Sequence, residues 1–146
     1  MNLELHPPSY FSTEHGIDDE IYWFLRGISK YFFDKEYSEI VNKVSIMSIV
    51  APDEIIRQGK WQEHISVYKS IECAYVAKQT DYTEYLNADM EGRKKLMVEN
   101  ILGAIKSIRT RAKFDYVRFE KDLLSFVENF NMETIDKSVD FPFSVG

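Results

Sequence analysis

The spacing of apolar residues changes within the segment from Lys43 to Ile108, and this change most constrains the fold. Alternating apolar positions, which are typical of β-strands, occur in 38–51 and again in 64–78. Apolar residues spaced by three and four, which are typical of an amphipathic helix, follow in 91–112. We interpret the two alternating runs as a β-hairpin that leads into a long helix.

Weaker patterns outside this segment predict a short strand at 2–6, stopped by Pro7 and Pro8, and helices at 17–34 and 115–130. The complete set predicts an α+β fold in which a small antiparallel or mixed sheet packs against three helices. We expect one domain over residues 1–146, with an irregular tail at 131–146.

Length and composition favour an ordinary cytoplasmic domain. The 146 residues, of which 45% are hydrophobic, are enough for one sizeable core. The single cysteine, Cys73, cannot form an internal disulfide, and no basic segment followed by an apolar run begins the chain. No apolar run approaches the roughly 20 residues that cross a bilayer, so we expect no contact with a membrane.

The charge of the chain points to a basic protein partner. A net charge of −6 disfavours direct binding of nucleic acid, which needs a basic surface. The distribution is uneven, because acids dominate from Asp81 to Gly92 and bases dominate from Arg93 to Lys121. Solvated helix faces also explain such runs, and Lys95 and Lys106 are predicted to lie opposite the apolar stripe of their helix.

No motif in the sequence predicts catalysis, a metal or a cofactor. A glycine-rich phosphate loop, a paired-histidine helix and a cysteine cluster are all missing from the sequence. The histidines at positions 6, 15 and 64 have no metal-ligand spacing. Cys73 falls on the apolar side of a predicted strand, where a thiol behaves as a small buried hydrophobe.

Two groups of residues are candidates for partner binding, in which carboxylates steer the partner and tryptophans act as anchors. Their members are Asp19, Glu20 and Trp23 at the first helix, and Asp53, Glu54 and Trp61 in the connection at 52–62. Trp23 points about 160° away from the apolar stripe of its helix. The alternatives are that a tail containing Phe141 and Phe143 covers Trp23, that Trp61 packs at a strand start, and that the carboxylates cap helices.

Three segments carry a resemblance to a known family. They are KVSIMSIVAP (43–52), SIECAYVAKQTDY (70–82) and YLNADMEGRKKLMVENILGAIKSI (85–108). Together with the order of elements, they resemble the immunity protein 44 family of bacterial polymorphic toxin systems. The resemblance implies a cytoplasmic protein that binds and blocks a cognate toxin domain, for instance a basic nuclease, without being an enzyme.

Two other functions remain open on the residues alone. A small enzyme would need carboxylates that meet only in three dimensions, in a pocket holding at least two titratable groups with shifted pKa values. A structural or adaptor subunit would use the basic face around Lys95 and Lys106. The sequence leaves the oligomeric state undetermined.

Overall fold

The computed structural model describes residues 1–8, 19–59 and 61–134. Its strands are β1 (Asn2–His6), β2 (Lys43–Ile49), β3 (His64–Tyr68) and β4 (Cys73–Gln79). Its helices are α1 (Asp19–Phe32), α2 (Asp53–Arg57), α3 (Tyr82–Asn87), α4 (Met90–Ile108) and α5 (Tyr116–Asn129), with single 3₁₀ turns at Lys69–Ile71 and Met132–Thr134. Within these ranges, no helix combines the length and the apolar composition needed to cross a lipid bilayer.

The four strands form one mixed sheet in the order β1-β2-β4-β3. β1 pairs with β2 and β2 pairs with β4, both in parallel, whereas β3 pairs with β4 in antiparallel. The predicted α+β class and mixed sheet are therefore confirmed, and so are helices close to 17–34, 91–112 and 115–130.

The predicted hairpin was placed between the wrong strands. β2 and β4 run in parallel, so a crossover must connect them, and the hairpin is instead formed by β3 and β4. The alternating run at 64–78 is thus two strands. The chain reverses through Lys69–Ile71 and through Glu72, which has a left-handed backbone (φ 55°).

This reversal also changes which residues face the core. Ile65 lies opposite Val76 and Val67 lies opposite Ala74, so odd positions of β3 share a face with even positions of β4. Ile71 would share a face with Cys73 if the alternation continued without interruption, but it is 61% exposed. An alternating pattern cannot reveal such a change of face when a tight turn interrupts it.

One face of the sheet carries the main core. It includes Leu3 and Leu5 of β1, Val44 and Ile46 of β2, and Ala74 and Val76 of β4, all buried. Helices α1, α4 and α5 contribute most of the remaining core side chains, and Tyr85 of α3 and several residues of the connecting segments complete the core. The opposite face is partly covered by a small cluster in which α2 and Trp61 pack on Ile49, Ala51 and Ala77.

Candidate functional site

The sheet topology collects several helix starts at one edge. Because β1, β2 and β4 are parallel, their carboxyl ends meet at the same edge, which we call the carboxyl edge. α2 begins at Asp53, shortly after β2, and α3 begins at Tyr82, shortly after β4. The side-chain amide of Asn100, in the middle of α4, donates to the carbonyl oxygen of Lys78, near the end of β4, at 2.9 Å. The turns of α4 that precede Asn100 therefore extend beyond this edge.

The start of α1 belongs to the same end of the molecule. The Met1 amine, at the amino end of β1, donates to the carbonyl oxygen of Phe32, the last residue of α1, at 3.2 Å. α1 therefore runs from the carboxyl edge back to the opposite edge. Its start is joined to that of α4 by an ion pair of 2.6 Å between Glu20 and Lys94.

Carboxylates are concentrated at these helix starts. We call this region the acidic end and define it by Asp19, Glu20, Asp53, Glu54, Asp81, Glu84, Asp89 and Glu91. The local reason is helix capping and the helix dipole, which favours negative charge at the first turn. Asp81 accepts a hydrogen bond from the Glu84 amide, and Asp89 accepts one from the Gly92 amide, each at 2.8 Å.

Four of these carboxylates extend the site beyond the sequence-based candidates. Asp81, Glu84, Asp89 and Glu91 all lie in the acidic run from Asp81 to Gly92, which the sequence shows clearly. Its relation to Asp53 and Glu54 depends on the parallel pairing of β2 with β4. The sequence signal for these positions is an Asp directly before a helical pattern, which predicts the N-cap of a helix.

Lys94 lies between two carboxylates of the acidic end. Its ammonium contacts Glu20 at 2.6 Å and Glu91 at 2.9 Å, and only 12% of the side chain is exposed. Burial lowers the pKa of Lys94, but hydrogen bonds to both carboxylates outweigh burial and hold the pKa above its ordinary value. Glu20 therefore joins α1 to α4, whereas Asp19 beside it is exposed.

Trp23 is half-buried one turn into α1. Its ring meets that of Tyr22 edge to face at 5.2 Å between centroids, and the Arg26 guanidinium lies 5.8 Å from the indole. Phe141 and Phe143, the residues considered as a cover for Trp23, lie outside the described residues.

The second candidate group is formed by α2 and the segment after it. Asp53 and Glu54 are exposed at the start of α2. Trp61 is half-buried against Ile49, Ala51 and Ala77, and its indole nitrogen is buried without an acceptor among the described residues. Asp53 and Glu54 thus lie on solvent beside a tryptophan that is held by packing.

The opposite edge of the sheet carries more basic than acidic residues. The connection between α4 and α5 lies there, because the Asp115 amide donates to the Tyr37 carbonyl oxygen at 2.8 Å, shortly before β2 begins. The basic residues in this region are Lys30, Lys35, Lys43, Lys69, Lys106, Arg109, Arg111, Lys113 and Arg118, and the acidic ones are Asp34, Glu36, Glu39, Glu72, Asp115 and Asp122. The molecule is therefore electrically asymmetric from end to end.

A groove of about 340 Å³ lies at this basic-rich edge, next to Tyr37 and Arg118. The Tyr37 hydroxyl donates to Asp122 at 2.6 Å, and the Arg118 guanidinium lies 4.5 Å from the centre of its ring. Burial, followed by the hydrogen bond to Asp122, raises the pKa of Tyr37.

A serine, a histidine and a glutamate meet on the face of the sheet opposite the main core. His6 Nε2 lies 2.9 Å from Ser45 Oγ and 3.0 Å from Glu4 Oε1. A catalytic relay needs the serine and the carboxylate at different ring nitrogens, and here both contact the same one. Within the described residues, no group of three or more potential ligands is placed to hold a metal ion.

Comparison with known proteins identifies the family. The model of the family described as immunity protein 44 matches residues 1–129, which include the whole sheet and all five helices. No curated protein and no solved structure shows significant similarity to the chain. Since the match spans most of the chain, this protein belongs to the immunity protein 44 family.

Proposed function

We propose that this immunity protein neutralises a cognate toxin domain of a bacterial polymorphic toxin system by binding it with the acidic end. One observation carries the proposal: parallel β1, β2 and β4 bring the carboxylates of successive helix starts to a single edge. Bases in this region are partly neutralised, since Lys94 is paired with two acids. The resulting surface suits a basic partner, for instance a nuclease domain, in the cytoplasm.

The carboxylates and the tryptophans have different roles in this proposal. Exposed carboxylates such as Asp19, Asp53 and Glu54 accelerate encounter with a basic protein and select among partners. Trp23 and Trp61 supply apolar contact area, which dominates the free energy of binding when it becomes buried. Inhibition then follows from occupancy of the toxin surface, with no covalent bond made or broken.

The test is a comparison of charge reversals at the two ends of the molecule. Asp53→Lys and Glu39→Lys change the net charge equally, and both positions are exposed, but only Asp53 belongs to the acidic end. The association rate is measured with the toxin domain encoded beside the gene, using a catalytically inactive toxin. We expect Asp53→Lys to slow association about tenfold and Glu39→Lys to change it much less.

Trp23→Ala, combined with Asp53→Lys, should abolish protection of cells that express the active toxin. Equal effects of Asp53→Lys and Glu39→Lys would contradict binding through the acidic end. Failure of the unmodified chain to bind the neighbouring toxin domain would contradict the proposed function itself.

A further inference from the structure

We propose that two copies of this chain associate edge to edge through β3, forming one continuous sheet across a two-fold axis at Ser66. The proposal concerns the free edge of the sheet, which is distinct from the helix starts of the acidic end, and does not depend on toxin binding. It rests on the free backbone groups of β3, on the groove beside that strand and on the self-complementary order of its residues.

The hydrogen bonds of β4 show which groups of β3 are free. The Thr80 amide donates to the Ile49 carbonyl oxygen at 2.9 Å, so even positions of β4 face β2. Odd positions face β3, and the Gln79 amide indeed donates to the Glu63 carboxylate at 2.8 Å.

The register then assigns the pairs of the hairpin. His64, Ser66 and Tyr68 exchange hydrogen bonds with odd positions of β4, whereas the amides and carbonyls of Ile65 and Val67 point outward. No described residue bonds to these outward groups. β3 is thus an edge strand with a free ladder of donors and acceptors.

The sequence and surroundings of β3 allow another strand to approach. The strand reads HISVY and holds no proline, lysine or carboxylate, the residues that usually block an edge. Beside it, a groove of about 260 Å³ lies between β3 and α4, lined by Ile65, Val76 and Ser107 among others. Ile65 and Val67 are only partly buried on this side.

A second copy fits this edge because β3 is complementary to itself. In antiparallel pairing about Ser66, Ile65 lies opposite Val67 of the other copy, so both outward residues bond in both copies. Just outside the strand, Glu63 of one copy then approaches Lys69 of the other, which brings opposite charges together twice across the axis. One oxygen of the Glu63 carboxylate accepts from the Gln79 amide of its own chain, and the other faces the partner copy in this arrangement. A two-fold axis at Ile65 would instead oppose Val67 to Glu63, and one at Val67 would oppose Ile65 to Lys69.

The first test changes the charge pair and measures association by sedimentation equilibrium over a wide range of protein concentrations. Lys69→Glu places two acids opposite each other at both ends of the seam, so we expect the dissociation constant to rise about tenfold. Lys121→Glu, at an exposed position of α5, is the matched control and should leave association unchanged.

The double variant Glu63→Lys with Lys69→Glu restores opposite charges in the proposed register, so it should regain association. This recovery is specific to a contact between copies, because the two positions lie at opposite ends of β3 within one chain. An unmodified chain that stays monomeric at every concentration would overturn the proposal, and so would a double variant no better than Lys69→Glu.

The second test fixes the register by a disulfide. Paired Ser66 residues form a non-hydrogen-bonded pair with Cα atoms about 4.5 Å apart, a separation that a disulfide spans. We expect Ser66→Cys to cross-link rapidly under mild oxidation, and Ser70→Cys, in the exposed turn, to cross-link slowly. Equal rates would place the contact elsewhere. A different result would assign the edge to the toxin. If the chain is monomeric and Val67→Pro abolishes toxin binding, β3 pairs with an extended segment of the toxin, and the proposal is overturned.

Discussion

At the scale of residues, the two tryptophans are both half-buried but pack on different kinds of neighbour. Trp23 packs on Tyr22 and Arg26 of its own helix, whereas Trp61 packs on residues of β2, β4 and the segment after β2. The contacts of Trp23 with those side chains are local and form with the helix itself. Those of Trp61 join segments distant in sequence.

Replacement of Trp23 by alanine should therefore separate binding from stability. We expect the free energy of unfolding to change by less than about 1 kcal/mol, and the free energy of toxin binding to weaken by about 2 kcal/mol. Urea denaturation and calorimetric titration with an inactive toxin domain measure the two quantities. A large loss of stability with intact binding would place Trp23 in the core.

Replacement of Trp61 by alanine should lower stability more. Removing the half-buried indole exposes Ile49 and Ala77 and leaves space against the sheet, at a cost of about 1–3 kcal/mol. The loss is measured by urea denaturation, with Trp23→Ala as the control that removes the same side chain. Equal losses in the two variants would contradict the difference in packing.

Two buried tyrosines give stability a dependence on alkaline pH. Tyr37 donates to Asp122, and Tyr116 donates to Glu120 at 2.8 Å. Burial and these carboxylates raise both pKa values, that of Tyr116 to about 12. An unfolded tyrosine ionises near pH 10, so the contribution is complete below about pH 10 and is lost as pH rises through the folded pKa.

We expect the free energy of unfolding to decrease above about pH 10, and to decrease less in the double variant Tyr37→Phe with Tyr116→Phe. The double variant should be less stable at neutral pH, because two hydrogen bonds are lost, but its pH profile should be flatter. Urea denaturation at a series of pH values measures both effects. An identical alkaline slope in the two proteins would exclude these tyrosines as the cause.

At the scale of elements, the aspartates before the helices combine a cap with a charge, and the two contributions can be separated. Asp89 caps α4 through the Gly92 amide and also belongs to the acidic end. Asparagine keeps the accepting oxygen but removes the charge, whereas alanine removes both.

Asp89→Ala should therefore destabilise the protein by about 1 kcal/mol, and Asp89→Asn by much less. Both variants should slow association with a basic toxin domain similarly, because both lose one negative charge. Thermal denaturation and stopped-flow association measure the two effects. Slower association in Asp89→Ala alone would attribute the change to a disturbed helix start and exclude a direct effect of charge.

The sequence predicts elements better than their pairing. The strand at 2–6 coincides with β1, and the helix at 17–34 contains α1, because local spacing and caps determine these elements. The run at 38–51 overestimates β2, since residues before Lys43 form a turn in which Ser38 accepts hydrogen bonds from the Ile40 and Val41 amides. Whether β2 pairs in parallel depends on distant residues, which no local pattern contains.

At the scale of the whole molecule, the candidate surface depends on this pairing. Asp19 and Glu20 were recognised from their position in a first helical turn, as were Asp53 and Glu54 from the connection after β2. That they share an end with Asp89 follows only from parallel strands. The sequence therefore predicted members of the acidic end without predicting its extent.

The asymmetric charge predicts a strong effect of salt on toxin association. Because charges of one sign gather at one end, they attract a basic partner over distances similar to the screening length, about 10 Å at 0.1 M salt. We expect the association rate to fall steeply as salt increases, while the dissociation rate changes little. Stopped-flow measurements at several salt concentrations check this, and an association rate independent of salt would exclude electrostatic steering.

The same mixed sheet has a consequence for how the chain acquires its structure. Pairing of Asn2 with Lys43, and of Lys43 with Cys73, joins positions far apart in the sequence, whereas Tyr68 meets Cys73 across a short turn. Closing the long loops costs entropy before any contact compensates for it. We therefore expect refolding on a timescale of roughly milliseconds to seconds, with the hairpin and the long helix structured earliest and the first strand docking late.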